Sequence, residues 1–272
     1  MCIRDSDCSL WIEDFCPYLA SESDWKRRKF MKDWSKKRYW IVGASEGLGL
    51  ALAQKMSEAG ASLILTARNE ARLKEIASSL PNEAEVLPLD ITDLNAVRKS
   101  AKLLKNVDGF VFCAGEYWPM PAQHWDVEKL KSMIDVNLIG ALHTLDVILP
   151  IFMENYTGHL VFTGSLAVYR GLPGALGYGS SKAAISNLSE TLRFDLKDTA
   201  IKVQLINPGF VKTRLTDKNE FRMPQIMSPE AAAGKMFSNM NRNNFSSSFP
   251  APFSWLFRVS QLLPDSIYFK LF

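Results

Sequence analysis

The chain has 272 residues, 47% of them apolar and 22% charged, with a formal net charge of +3. That length suits one α/β domain with a sizeable core, the composition is that of an ordinary globular protein, and so slight a positive charge argues against a nucleic-acid partner. No run of about 18 apolar residues stands out, so no transmembrane span is expected.

Residues 1–30 differ from the rest of the chain. They hold Cys2, Cys8 and Cys16, three of the four cysteines, and show no periodicity. The opening Met1-Cys2-Ile3-Arg4-Asp5-Ser6 looks like the translation of a sequencing-library adapter. The segment is therefore expected to be non-native or disordered, with a natural start at Met31; a genuine N-terminal extension is the alternative. Acids in Trp11-Ile12-Glu13-Asp14-Phe15 break up any apolar signal-peptide core. Without residues 1–30, Cys113 is the single cysteine, which cannot form an internal disulfide and points to a reducing, cytoplasmic setting.

From Tyr39 onward, short apolar runs alternate with helix-period segments. Strands are predicted at 39–42, 62–66, 85–87, 109–112, 159–163 and 202–206, with a further one around Ser247-Ser248-Phe249. Helices are predicted at 48–58, 70–80, 94–104, 127–155 (bent near Gly140 and Pro150) and 178–196. Strands apolar on both faces, each followed by a helix, imply a parallel sheet covered on both sides. The expected fold is α/β: a Rossmann-like, doubly wound parallel sheet of about seven strands. Residues 31–250 form its domain, and 251–272 an apolar tail. Ligands of such sheets bind beyond the carboxyl ends of the strands. That rule makes Gly43, Arg68, Asp90, Cys113, Ser165 and Asn207 neighbours of one crevice.

Between the first strand and helix lies Gly43-Ala44-Ser45-Glu46-Gly47-Leu48-Gly49. Glycines permit the tight turn, the approach of backbone to a pyrophosphate and the packing of helix on strand. The helix N-terminus offers free N–H groups to phosphates. A P-loop is excluded, since no Lys-Ser/Thr follows. Further on, Tyr178-Gly179-Ser180-Ser181-Lys182 places a phenol and an ammonium on one helical face. A nearby ammonium would lower a phenol that otherwise titrates near 10. Ser165, at the end of the fifth strand, can hydrogen-bond a substrate oxygen. His124, His143 and His159 make no metal-ligand spacing, and no G-x-S-x-G elbow or His-based triad is present.

The G-x-x-x-G-x-G turn and the Y-x-x-x-K pair resemble the short-chain dehydrogenase/reductase family, in its single-domain branch, over about residues 38–240. The resemblance implies an oxidoreductase in which Tyr178 is the acid/base, its phenol lowered further by the positive ring of a bound nicotinamide, with Ser165, Lys182 and Asn137 beside it. Asn137, in Asp135-Val136-Asn137-Leu138, matches the helix asparagine that holds a relay water for Lys182. It further implies that Asp90 and Ile91 contact adenine and that Cys113-Ala114-Gly115 stands for the family's Asn-Ala-Gly turn. Pro208, Gly209, Val211 and Thr213 then lie in the loop beside the nicotinamide. A homodimer or homotetramer is expected on the same basis.

The second predicted strand ends Thr66-Ala67-Arg68, with no acid before Glu70. Arg68 can stack on adenine and grip a 2′-phosphate, so NADP is expected, with NAD as the alternative. Glu46 in the glycine loop argues the other way, because it would repel that phosphate. The substrate segments hold Tyr117, Trp118, Pro119, Met120, Tyr169, Leu172, Leu215, Phe221 and Met223, a lining for a small hydrophobic carbonyl or alcohol. The tail is expected to cap the pocket or pack in an interface; resting on a membrane surface is the other possibility.

Overall fold

The computed structural model describes residues 33–271. The expectation for residues 1–30 lies outside them. The elements are β1 (Arg38–Val42), α1 (Gly47–Glu58), β2 (Ser62–Ala67), α2 (Glu70–Ser79), β3 (Ala84–Pro88), α3 (Leu94–Ser100), β4 (Gly109–Phe112) and α4 (Val127–Ile134). Next in the chain come α5 (Gly140–Glu154), β5 (Thr157–Thr163), α6 (Leu176–Asp195), β6 (Ala200–Pro208), α7 (Pro229–Met240), β7 (Ser246–Phe249), α8 (Phe253–Ser260) and α9 (Asp265–Leu271).

The seven strands form one parallel sheet in the order β3-β2-β1-β4-β5-β6-β7. The order reverses between β1 and β4, which opens a crevice at their carboxyl ends. Alternate strand residues feed two cores. Trp40, Phe110, Phe112 and Phe162 face α3, α5 and α6, whereas Ile41, Val111, Val161 and Ile206 face α1, α2 and α7. Asn69, Asp93, Asp126 and Ser228 cap the N-termini of α2, α3, α4 and α7 with side-chain oxygens.

Between α4 and α5, Asp135–Ile139 form a wide π-helical turn, so the helix runs unbroken over Val127–Glu154. Its mean hydropathy of 1.7 over an 18-residue window meets the length and composition of a membrane span. It passes by length and average composition alone, since the sequence holds no unbroken apolar run of that length. Scattered polar residues such as His143 and Asp146 hide the window from a search for an unbroken apolar run. Here the helix covers the sheet, with Ala141, Leu145, Ile148 and Phe152 buried in the core.

Other boundaries shift as well. The third predicted helix stops at Ser100 and tightens into a 3₁₀ turn at 101–103. Helices α7, α8 and α9 were not anticipated. Pro229, Pro252 and Pro264 stand at or just before their starts, where a missing N–H costs nothing, rather than breaking the chain.

A buried polar chain crosses the sheet on the α7 side. The Gln204 amide nitrogen donates to the carbonyls of Asn239, Arg242 and Asn244. Its oxygen therefore accepts from His159 Nε2 at 2.9 Å, which leaves Nδ1 to accept the Tyr39 hydroxyl at 2.8 Å. Burial, then the charge of Lys202, pull His159 down to about 3, and the Gln204 hydrogen bond opposes them. His159 is thus a neutral structural residue.

Candidate active site

The register Val42↔Phe112 sets the glycine turn directly beside the turn after β4. Gly43 N donates to Thr66 O at 2.8 Å and Cys113 N to Val42 O at 2.8 Å. The crowding explains the glycines. A Cβ on Gly43, where φ is +88°, would stand 2.5 Å from Ala114 N, and one on Gly49 would stand 2.0 Å from Gly43 O. Gly47, with φ +55°, lies against the Thr213 methyl. Unlike α2, α3, α4 and α7, α1 has no side-chain cap: Glu46 stands at the cap position and makes none. Its first N–H groups remain available to an anion. Ser45 is half-buried in this turn, and Leu48 packs on the core behind it.

Glu46 points elsewhere, in an ion pair of 2.6 Å with Arg214 from the segment after β6. Arg68 and Asp90 share a hollow of about 270 Å³ with Thr92, Glu116 and Asp135. Burial alone would raise the Asp90 carboxyl, but two hydrogen bonds from Thr92 and the charge of Arg68 outweigh it and hold the group below its ordinary value. Ile91 does not join them through its side chain, which packs on Gly140 in the core, while its carbonyl accepts from His143.

Strand β5 ends at Thr163, and Ser165 opens a 3₁₀ turn, its hydroxyl accepting Ala167 N at 3.2 Å. That hydroxyl also hydrogen-bonds the phenol of half-buried Tyr178, on the first turn of α6. One turn on, Lys182 Nζ lies 5.8 Å from the Tyr178 ring centroid and donates to Thr163 O at 2.8 Å. Burial pulls this ammonium down to about 8. Burial also raises the Tyr178 phenol, and the Ser165 hydrogen bond offsets only part of that. In the protein alone loss of hydration dominates and Lys182 spends its nearest hydrogen bond on the backbone; the lowering expected from the sequence counts the charge of a bound nicotinamide ring as well.

Asn137 is fully buried in the π-helical turn. Its amide accepts Glu116 N at 2.6 Å and donates to Glu116 O at 2.9 Å and Ser181 Oγ at 3.0 Å. It therefore ties the chain after Gly115 to α6. A Cβ on Gly115 would sit 3.6 Å from Asn137 Oδ1 and 3.8 Å from Lys182 Nζ, so both polar groups face the bare glycine. The Cys113 thiol, pushed up to about 11 by burial, contacts Thr163 Oγ1 at 3.3 Å. At the end of β6, Asn207 Oδ1 is buried beside Gly164 without a hydrogen-bond partner among the described residues. Gly209 N donates to Phe249 O at 2.7 Å, and Val211 pairs with Met227, which turns the following segment back over the crevice.

Sequence reasoning placed Tyr117 and Trp118 in the substrate segments but missed Lys218 and Asn219, which hold them. Tyr117 stands edge-on to Tyr178, ring centroids 5.1 Å apart, and its hydroxyl donates to Asn219. Lys218 lies 3.3 Å from the Trp118 ring centroid and donates to Tyr117 O. Partners a hundred residues apart leave no local signal. Met120 is not part of the wall; it is buried, bridged to Ala175. Phe210 meets Phe221 and Phe253, each with centroids 5.8 Å away, so α8 backs the segment after β6. Arg170 and Gly171 hold the tail: Arg170 donates to Leu263 O and pairs with Asp265, and Tyr268 donates to Gly171 O.

A sheet reversed beside a glycine turn, with an uncapped helix on one side and a Tyr–Lys helix on the other, defines a Rossmann-like domain. Residues 37–223 match the family model for short chain dehydrogenase, and the chain belongs to that family of oxidoreductases. An uncharacterized oxidoreductase of Myxococcus xanthus is 33% identical over 245 residues, which cover 88% of this chain and 97% of that protein. A short-chain dehydrogenase from Streptomyces avermitilis superposes with a TM-score of 0.76 at 23% identity, over 86% of this chain and 95% of its own. A short chain dehydrogenase from Burkholderia cenocepacia, solved in complex with NADP, superposes with a TM-score of 0.76 at 20% identity, over 85% and 94%.

Proposed function

We propose that the protein interconverts a hydrophobic carbonyl compound and its alcohol with NADP, using Tyr178 as the acid/base. The observation that carries this reading is the meeting of Ser165, Tyr178 and Lys182: Ser165 acts on the Tyr178 phenol, and Lys182, one helical turn on, turns its Nζ toward Gly115, in the segment packed on Gly43. The uncapped N-terminus of α1 and the bare glycines fit a dinucleotide pyrophosphate. Arg68 and Asp90 would hold its adenosine end, and the backbones of Ala114, Pro208, Gly209 and Val211 would border its nicotinamide. When bound, that ring supplies or accepts the hydride.

The chain's own part is proton transfer and placement. Burial keeps the phenol protonated, the form that donates to a carbonyl oxygen; the reverse reaction needs it to accept a proton from the alcohol. Lys182, its Nζ 5.8 Å from the centre of the phenol ring, favours the phenolate left behind. Ser165 is positioned to orient the substrate oxygen, and Asn137 keeps the Gly115 turn and α6 in register. Tyr117 and Phe221 suit an apolar substrate. NADP is favoured over NAD because Arg68 has no neighbouring acid in sequence and Glu46 is neutralised by Arg214.

Turnover of a panel of apolar ketones and alcohols with each cofactor, followed by nicotinamide absorbance, tests the reading. Tyr178→Phe should retain cofactor binding and lose roughly 10²–10⁴-fold in kcat. Normal turnover by that variant would remove Tyr178 as the acid/base, and a preference for NAD would reverse the assignment of Arg68.

A further inference from the structure

Helix α8 is amphipathic in the wrong sense for a helix that only covers a domain. Its small polar residues face inward, with Ser254 1% and Ser260 6% exposed. Its large apolar residues face outward: Trp255 is 62%, Leu256 68% and Leu262, just beyond the helix, 83% exposed. Phe269 and Leu271 of α9 continue the surface, and Phe221, joined to α8 through Phe210, adds to its edge. Large exposed apolar patches of this kind mark docking sites.

Charge selects the occupant. The one acid between Phe253 and Leu271 is Asp265, and Arg170 neutralises it at 2.5 Å. Lys270 and Arg222, next to Leu271 and Phe221, have no acidic partner among the described residues. The segment 212–222 adds Lys212 and Arg222 against Asp217 and Glu220; its Arg214 is spent on Glu46 and its Lys218 on Trp118 and Tyr117 O. A twofold contact between copies would set like cations of both copies around one apolar centre, with Asp265 already spent. An anionic bilayer answers both features, since its headgroups pair with the cations while Trp255, Leu256 and Leu262 enter the interface.

We propose that the outer face of α8–α9, with Phe221, docks on an anionic lipid surface. Docking sets the segment after β6, which overhangs the crevice, against the bilayer. An apolar substrate dissolved there then reaches Tyr178 without crossing water. The docking itself stands whether or not the assigned chemistry does.

Co-sedimentation of the full chain with vesicles tests it. The chain should pellet with phosphatidylcholine vesicles containing ~30% phosphatidylserine, and less so with phosphatidylcholine alone or at raised salt. The double variant Trp255→Ser, Leu262→Ser should lose at least about tenfold in partitioning, because both side chains are exposed and contribute to the interface rather than the core. Its circular dichroism and its turnover of a water-soluble substrate should match the parent. The proposal fails if the parent stays in the supernatant, or if the double variant pellets equally well. A fall in particle mass by light scattering in the variant would instead assign this face to a second copy of the chain.

Discussion

Acidification should unload the buried Tyr39–His159–Gln204 chain by an amount that can be worked out. In the folded protein His159 is held down to about 3, against 6.5 for a free imidazole, chiefly because burial removes hydration from the charged ring. The unfolded chain therefore takes up a proton near pH 6.5, and the folded one does not until near pH 3. The stability this neutral ring contributes is complete above pH 6.5 and is lost progressively as pH falls below it. At ~1.4 kcal/mol for each pH unit, the folded state gives up about 2 kcal/mol by pH 5. Urea unfolding at about pH 7.5 and about pH 5, for the parent and for His159→Gln, measures this directly. The variant starts less stable but lacks the titrating group, so its further loss on acidification should be smaller by about 2 kcal/mol. Equal losses in the two proteins, or a native His159 ring that titrates near 6.5 by NMR, would refute the account.

The site offers three further tests. Gly49→Ala forces a methyl against the Gly43 carbonyl, so the glycine turn must move, and calorimetry should show NADP affinity reduced at least about tenfold. Asn137→Ala strips the Glu116 backbone and Ser181 of their partner and should cost roughly 1–3 kcal/mol in denaturant unfolding, with kcat falling as the Gly115 turn loosens. Arg170→Ala removes the hydrogen bonds to Ser260 O and Leu263 O together with the cation held 3.9 Å from the Tyr268 ring. Limited proteolysis should then cut residues 250–264 faster than in the parent, and equal rates would show that the tail is held by other contacts.

The central strands were legible because each is a short apolar run buried on both faces, a pattern that survives without knowledge of neighbours. Trp40-Ile41-Val42 and Leu160-Val161-Phe162 are examples, each buried throughout. The glycine turn and the Tyr178–Lys182 pair were legible because their spacing is local. The rest was hidden by distance. Glu46 reads as a repulsive charge until Arg214 is found 168 positions away. Asn137 reads as a relay residue, yet its side chain is bound to a backbone 21 positions back and a serine 44 ahead. The tail misled for another reason: Pro252 and Pro264 look like breakers, but a proline is equally suited to begin a helix, and only packing against Phe210 and Arg170 decides between the two. Tyr178 shows the same limit in its chemistry, since spacing does not reveal the burial that raises its phenol in the protein alone.

The widened turn at Asp135–Ile139 also divides labour along the longest helix. Gly140 N–H bonds back to Asp135 O, five residues away, so α4 and α5 run out of phase with one another. The first is thereby free to seat Leu130 and Met133 against Gly177 of α6, and the second to aim Leu145, Ile148 and Phe152 at the sheet. A rod of uniform pitch could satisfy one of those neighbours at a time. Evolution of the wall beside Tyr178 can thus proceed on α4 without disturbing how α5 seals the interior.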